Sequence, residues 1–148
     1  MAKTYDLDFN GYWQDKNKSG LPHVPGIYCV YKGTLQPGDT VLLDKIVYIG
    51  EAEDINSRHN DSQHEHYNDF VKVCGGVDHI WYSYAKVLGG ETERKHVENA
   101  LIYELQPKIN NKGKQSFDYK KTTINSSGAK IGVPNTFTIE DGGWELDV

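Results

Sequence analysis

Two segments rich in β-branched and aromatic residues, joined by a stretch of turn-forming residues, constrain this chain most. The first covers 26–31 (Gly-Ile-Tyr-Cys-Val-Tyr) and the second covers 45–50 (Lys-Ile-Val-Tyr-Ile-Gly). Residues of these types favour pleated, half-buried strands. The sequence between them includes Gly33, Pro37 and Gly38, which are residues that turns require. The pattern predicts a β-hairpin with an expanded loop.

Three helices and a third strand are predicted after this hairpin. Asp54 is a suitable N-cap for a short helix, and Ser62 with Glu65 has the spacing of a capping box for a second helix. A third strand is predicted over 79–87, and the strongest helical pattern covers 91–105. We therefore expect an α+β domain, within the broad α/β class, in which helices flank a central three-stranded antiparallel sheet.

A fixed order of residue types runs along these predicted elements. Gly26-Ile27-Tyr28 and Tyr48-Ile49-Gly50 flank the hairpin loop, and they are followed by Arg58, by Glu98 on the long helix and by Asn110 after it. Each triplet alone is a weak signal, because short apolar strands with tyrosine and glycine are common. In this order the residues resemble the GIY-YIG nuclease family, which includes homing endonucleases, restriction endonucleases and the N-terminal incision domain of a bacterial excision nuclease.

The resemblance covers about residues 23–113. It divides the chain into an N-terminal extension over 1–22, a GIY-YIG nuclease-like domain over 23–113, and a C-terminal extension over 114–148 that is first basic and then acidic. We predict no chemistry for the N-terminal extension.

The resemblance also implies a role for each matching residue. Hydrolysis of a phosphodiester requires an activated water and stabilisation of the charge that develops on the phosphate oxygens. Glu98 would bind Mg²⁺ or Mn²⁺, and Arg58 would offer its planar guanidinium to two phosphate oxygens. Tyr28 or Tyr48 would accept the proton of the water, with Tyr28 favoured, if a nearby cation lowers its pKa. Asn110 would hold the helix end and the active-site loop by hydrogen bonds.

One position departs from the family pattern. Many relatives have a histidine four residues after the arginine, where this chain has Ser62. His59 and His64 are the candidates for the same auxiliary role. A zinc site built from the histidines is a weaker interpretation, because His64 and His66 are two positions apart and would point to different sides of a helix.

The net charge argues against a polyanionic partner, but its distribution does not. The chain has 16 basic and 21 acidic residues, a net charge of −5 and a pI near 5.6. The acidic excess lies in 1–105 and 131–148, whereas 106–130 has six lysines against one aspartate. These lysines are Lys108, Lys112, Lys114, Lys120, Lys121 and Lys130. We expect the first five to contact nucleic-acid phosphates, with Phe117 or Tyr119 available to stack on a base.

Length and hydropathy limit where the protein acts. With 148 residues the chain is about one domain, and no apolar run approaches the roughly 18–20 residues of a spanning helix. We therefore expect no membrane partner and a cytoplasmic location. Cys29 and Cys74 lie among apolar residues, where buried free thiols are the usual case.

These observations predict a metal-dependent endonuclease that hydrolyses DNA, with RNA as the alternative polymer. Water would attack the phosphorus directly, without a covalent intermediate, and the resemblance implies a 5′-phosphate and a 3′-hydroxyl as products. Two rival interpretations stay open. One is a non-catalytic nucleic-acid-binding module with the same fold, and the other is a histidine-based metal-binding interaction domain.

Overall fold

The computed structural model describes residues 2–129 and 131–140. Within them no helix is both long enough and apolar enough to cross a membrane. Short 3-10 helices lie at Asp15–Gly20 and Val77–His79. The strands and α-helices, in chain order, are β1 (Lys3–Gln14), β2 (Gly26–Gln36), β3 (Thr40–Ala52), α1 (Ile55–Asn60), α2 (Tyr67–Cys74), β4 (Ile80–Lys86), α3 (Glu91–Leu105), β5 (Thr122–Ser127) and β6 (Thr136–Ile139).

The strands form one mixed sheet that curls into a half-barrel. Its strand order is β3-β2-β4-β1-β5-β6. Neighbouring strands are antiparallel except β1 and β5, which are parallel and pair Lys3 with Thr122 through to Asp8 with Ser127. Among the described residues β3 and β6 are the two edge strands.

The predicted three-stranded antiparallel sheet flanked by helices is therefore wrong. Only β3, β2 and β4 belong to that expected sheet, and three further strands extend it. Strand β1 pairs along the outer edge of β4, which leaves its own far edge open for β5. Leu7 and Phe9 alternate with polar residues in β1 and are 3% and 4% exposed, so a period-two pattern was present in the N-terminal segment.

The predicted hairpin is confirmed, and it is longer than its sequence pattern indicates. Strands β2 and β3 pair from Gly26 with Ala52 to Gln36 with Thr40. The register shifts after Val30 pairs with Tyr48, so Val47 is the extra residue of a β-bulge.

Both faces of the central strands are buried, each against a different helical layer. Side chains from α3 cover one face, and Val97, Ala100 and Leu101 from this helix are fully buried there. Side chains from α1 and α2 cover the other face, where Ile55 and Phe70 are fully buried. Successive residues of β2 alternate between the two layers, as strand geometry requires.

The helix predictions are confirmed at two of three positions. The Asp54 carboxylate accepts from the Ser57 backbone N–H and caps α1, and α3 has the predicted bounds. The predicted capping box at Ser62 is wrong, because α2 begins only at Tyr67. The Glu65 carboxylate, which that box would use, instead accepts from Arg58.

Candidate active site

The predicted site residues gather at the free edge of β3, where the two helical layers meet. A cleft of about 550 Å³ opens between α2 and α3 beside this edge. Its walls include Tyr48 from β3 and Glu98 from α3, together with Asn110 from the segment after α3. The other polar residues of the lining are Glu65, His66, Asn99, Asn111, Lys112, Asp118 and Tyr119.

A larger cavity of about 800 Å³ lies elsewhere, between the end of β1 and the tip of the β2–β3 hairpin. Tyr12, Trp81 and Val41 are in its walls. It contains none of the predicted site residues. Chemistry depends on which groups converge rather than on volume, so the smaller cleft is the candidate active site.

The backbone of β3 would be an exposed strand edge without three groups that reach it from outside the sheet. The Ile109 N–H donates to the Val47 carbonyl at 3.0 Å. The Asn110 side chain both accepts from the Ile49 N–H and donates to the Ile49 carbonyl, each at 2.9 Å. The Glu51 N–H faces the Glu98 carboxylate closely enough to act against the rise in the pKa of that carboxyl. Asn110 was predicted to hold the helix end and the loop, and in the structure it fixes this segment to β3.

Tyr28 lies behind the cleft and is 1% exposed. Its ring occupies the space above Gly50, where a Cβ atom would come within 3.0 Å of three ring and hydroxyl atoms. Gly50 is therefore required by packing. The Tyr28 hydroxyl lies 2.7 Å from Nε2 of His64.

The direction of this hydrogen bond follows from the other ring nitrogen of His64. Nδ1 accepts from the His66 backbone N–H at 3.0 Å, so in the neutral ring Nε2 carries the hydrogen and donates it to the Tyr28 oxygen. Burial, with help from the Arg58 charge, lowers the pKa of His64 to about 3, which keeps the ring neutral. The Tyr28 hydroxyl hydrogen is then available to Tyr48, and the presence of this hydroxyl acts to lower the pKa of Tyr48.

Both tyrosines are nevertheless weak acids in the protein alone. Burial raises the pKa of Tyr48 to about 12, and the charges of Glu98 and Glu65 add to this effect. Burial likewise raises the pKa of Tyr28 well above its usual value. The Arg58 charge acts in the opposite direction on both residues, as predicted, but it does not outweigh burial.

Arg58 lines a neighbouring depression beside Ser57 rather than the cleft itself, and it reaches the cleft through Glu65. Its Nη2 atom donates to Oε1 of Glu65 at 2.7 Å, and the Glu65 side chain is 70% exposed. An exposed ion pair of this kind contributes little stability. A phosphate could therefore replace Glu65 as the partner of the guanidinium at small cost.

Glu98 is the cleft residue with the most perturbed carboxyl group. Its pKa is raised to about 7, mainly by burial and also by the nearby negative charge of Glu51. The Glu51 backbone N–H has the opposite, smaller effect and lowers the pKa. The Glu51 carboxylate is itself held by Nε of Arg94 at 2.8 Å. Glu98 thus sits where a negative charge is poorly compensated by the protein.

The arrangement around Glu98 fits a hard divalent cation with few protein ligands. The residue supplies carboxylate oxygens beside an open cleft, and a cation there would relieve the burial and repulsion that raise its pKa. Within the described part of the chain no three histidine, cysteine or acidic residues form a metal-ligating group. Mg²⁺ suits such a place, because it keeps several waters and takes ligands from a substrate phosphate.

His59 does not reach the cleft. It is 3% exposed and packs edge-on against Tyr28, with ring centroids 4.5 Å apart. Burial lowers its pKa to about 3, and its Nε2 atom has no hydrogen-bond partner among the described residues. Of the two auxiliary candidates, only His64 contacts a predicted catalytic group by a hydrogen bond.

Sequence reasoning missed Glu65, His66, Glu51 and Arg94. Glu65 and His66 entered the sequence analysis only through the capping box and the zinc interpretation, and neither pattern predicts the contacts that they make in the structure. The Arg94–Glu51 pair spans 43 residues and joins α3 to β3. A local pattern carries no information about such a pair.

Comparisons with known families, with curated proteins and with solved structures find no match for this chain.

Replacing Asn110 should destabilise the fold, because its side chain satisfies two buried backbone groups of β3. We expect Asn110→Ala to lower the free energy of unfolding by about 2–4 kcal/mol. The neighbouring variant Asn111→Ala is the matched control, since Asn111 is exposed and should change stability by less than about 0.5 kcal/mol. Urea unfolding measures both, and equal effects of the two substitutions would contradict this account.

The raised pKa of Glu98 predicts a pH-dependent stability difference between Glu98→Gln and the wild type. A carboxyl whose pKa is higher in the folded than in the unfolded state costs stability when ionised. That cost begins above the unfolded value of 4.5 and is complete above about 7. Glu98→Gln should therefore become increasingly more stable than the wild type from pH 5 to 8. Urea unfolding across this range should show a difference that grows and then levels, and a constant difference would refute the shift.

Proposed function

We propose that this protein is a metal-dependent nuclease that hydrolyses DNA phosphodiester bonds in the cleft beside β3. The observation that carries the proposal is the convergence of three kinds of group at one place: a carboxylate with a raised pKa, a tyrosine with an oriented hydrogen-bond donor behind it, and an arginine on an exchangeable partner. These are the groups that phosphodiester hydrolysis requires. They also occupy the positions that resemble the GIY-YIG pattern.

Glu98 would hold Mg²⁺ or Mn²⁺, which when bound would supply positive charge for the phosphate oxygens and for the departing oxygen. Arg58 would leave Glu65 and donate to the same phosphate through its planar guanidinium. The attacking water would reach the phosphorus from the open cleft, and the 3′ oxygen would leave, so that the products have a 5′-phosphate and a 3′-hydroxyl.

Tyr48, rather than the Tyr28 favoured from sequence, is the better placed proton acceptor. Tyr48 lines the cleft, whereas Tyr28 is buried behind it. The hydrogen bond from His64 to Tyr28, together with the Tyr28 hydroxyl beside Tyr48, would stabilise the phenolate form of Tyr48. Tyr28 and His64 would then be positioning residues in this mechanism.

Cytoplasmic function is part of the same proposal. Cys29 and Cys74 are free thiols buried on opposite faces of the sheet. Burial raises the pKa of Cys29 to about 12 and that of Cys74 to about 11, so both stay protonated near neutral pH. Unreactive thiols of this kind suit a reducing compartment.

A binding module without catalysis is the second candidate, and the Arg58–Glu65 pair favours it. In this state the guanidinium has a carboxylate partner at 2.7 Å, and the neighbouring tyrosine has a pKa near 12. A gel-shift assay beside a plasmid-nicking assay, each with Mg²⁺ and with EDTA, separates the two functions. Binding without any Mg²⁺-dependent nicking would favour the module.

Glu98→Gln should abolish Mg²⁺-dependent cleavage while keeping the fold, because the amide has nearly the same shape but no charge. Glu104→Gln is the matched control, since Glu104 lies on the exposed side of the same helix and should cleave like the wild type. Added Mg²⁺ should raise the melting temperature of the wild type and of Glu104→Gln but not of Glu98→Gln. Plasmid nicking by Glu98→Gln at the wild-type rate would sink the proposed mechanism.

The two tyrosines should respond differently to removal of the hydroxyl. Tyr48→Phe should lower the cleavage rate about 10²–10⁴-fold at every pH, as expected for loss of a general base. Tyr28→Phe and His64→Gln should keep a measurable rate but shift its pH dependence to higher pH, because Tyr48 loses its oriented donor. A pH–rate profile for each variant is the measurement. The roles are reversed if Tyr28→Phe is inactive and Tyr48→Phe merely shifts the profile.

A further inference from the structure

A second groove leads out of the candidate active site along α2. It has a volume of about 560 Å³ and lies between α2 and the segment that follows α3. Asn111 lines both this groove and the catalytic cleft, so the two are adjacent. Lys72 and Lys108 line the groove, and Lys112 lines the cleft.

These three lysines lie together beside the cleft and the groove, and none of them has an acidic partner among the described residues. Lys72, Lys108 and Lys112 form no ion pair with any residue that the structure describes. The acidic residue in the same groove is Asp69, and its carboxylate already accepts from Nδ1 of His66 at 3.2 Å. Five other lysines face a carboxylate: Lys3 with Glu93, Lys18 with Asp15, Lys32 with Asp44, Lys95 with Glu91 and Lys121 with Glu140. Lys16, Lys45, Lys86 and Lys114 form no ion pair among the described residues, but they line neither the groove nor the cleft.

The lysines predicted to bind phosphates do not form one surface. Lys108 and Lys112 are beside the cleft. Lys121 lies beside the start of β1 instead, where its carbonyl accepts from the Lys3 N–H. The ammonium group of Lys121 is 3.9 Å from the Glu140 carboxylate. The chain at Lys114 folds back on α3, where its carbonyl accepts from Gln106. Lys130 lies outside the described residues.

We propose that Lys72, Lys108 and Lys112 form a track for the phosphate backbone of the DNA strand that enters the cleft. A line of uncompensated ammonium groups that begins at the catalytic cleft and follows a groove matches a polyanion of regular charge spacing. Lysine suits this use, because backbone contacts need charge rather than a fixed hydrogen-bond geometry. The track places the DNA on the α2 side of the cleft, away from Lys120 and Lys121.

Lys72 is the residue that sequence reasoning could not assign to this surface. It lies 36 positions before Lys108, in a helix whose apolar stripe, rather than its charges, predicted its existence. Its position on the exposed side of α2 follows from Phe70 and Cys74, which turn the opposite side into the core.

The inference rests on the proposed function, and a binding experiment tests it separately from cleavage. The full chain is titrated into a fluorescently labelled DNA duplex in EDTA, and anisotropy gives the affinity at several NaCl concentrations. Each lysine that contacts a phosphate adds about 0.9 to the slope of log affinity against log salt. The double variant Lys72→Gln/Lys108→Gln should therefore reduce the magnitude of this slope by about 2.

Two matched variants complete the experiment. Lys16→Gln removes an exposed lysine at the distant 800 Å³ cavity and should leave the slope unchanged. Lys120→Gln/Lys121→Gln removes the lysines of the rival surface and should also leave it unchanged. The track is overturned if this last variant loses the slope instead, if all variants lose it equally, or if the wild type does not bind DNA.

Hydrolysis of bis(4-nitrophenyl) phosphate keeps the two proposals apart. This diester has no flanking phosphates, so Lys72→Gln/Lys108→Gln should hydrolyse it like the wild type, whereas Glu98→Gln should not. Unchanged DNA binding by the lysine variant together with Glu98-dependent hydrolysis would refute the track alone. If Lys72→Gln/Lys108→Gln reduces the salt slope but the wild type hydrolyses no diester, the proposed nuclease activity is refuted and the proposed phosphate track stands.

Discussion

The arrangement of the candidate site depends on how the outer edge of β3 is satisfied. A strand edge presents a row of unpaired N–H and C=O groups that must find partners or attract another strand. Here the partners are the backbone of Ile109, the amide of Asn110 and the carboxylate of Glu98. The same contacts that close the edge bring α3 and the following segment against Tyr48. Structural support and the gathering of chemical groups are therefore one set of interactions.

This way of closing the edge has an electrostatic cost that matters for chemistry. A carboxylate used as an edge acceptor must be partly removed from water, and Glu98 is also near Glu51. The result is a cleft with more negative than positive character at its inner end, although the substrate proposed for it is an anion. A divalent cation would resolve this conflict, because it would compensate Glu98 and attract phosphate oxygens. Of the three lysines without acidic partners, Lys112 lines the cleft and Lys72 and Lys108 line the neighbouring groove, where they would act on the rest of the strand.

Local signals predicted the parts of the structure that are defined by neighbours in sequence. The β2–β3 hairpin and α3 have their periodicity, caps and turn residues within a single window, so their position could be predicted. Strand β5 has only one buried apolar residue, Ile124, and is a strand because β1 lies beside it.

The order of Tyr28, Tyr48, Glu98 and Asn110 in the sequence also predicted a common site. Which of the two tyrosines faces the cleft could not be predicted, because it depends on the ring of Tyr28 lying over Gly50. Glu65 and Lys72 entered the site only through packing between distant segments.

The parallel pairing of β1 with β5 has a consequence for the order in which the chain folds. Residues 3–8 pair with residues 122–127, so β1 is made early and completes its hydrogen bonds only after most of the described chain has been made. Its other partner, β4, is also synthesised well after it. The two strands of the hairpin are adjacent in the chain and can pair as soon as they are made. During synthesis β1 is therefore without its partners for longer than the hairpin strands are. Pairing of residues 122–127 with β1 therefore joins segments near the two ends of the described chain, and it can form only after the residues that line the cleft have been made.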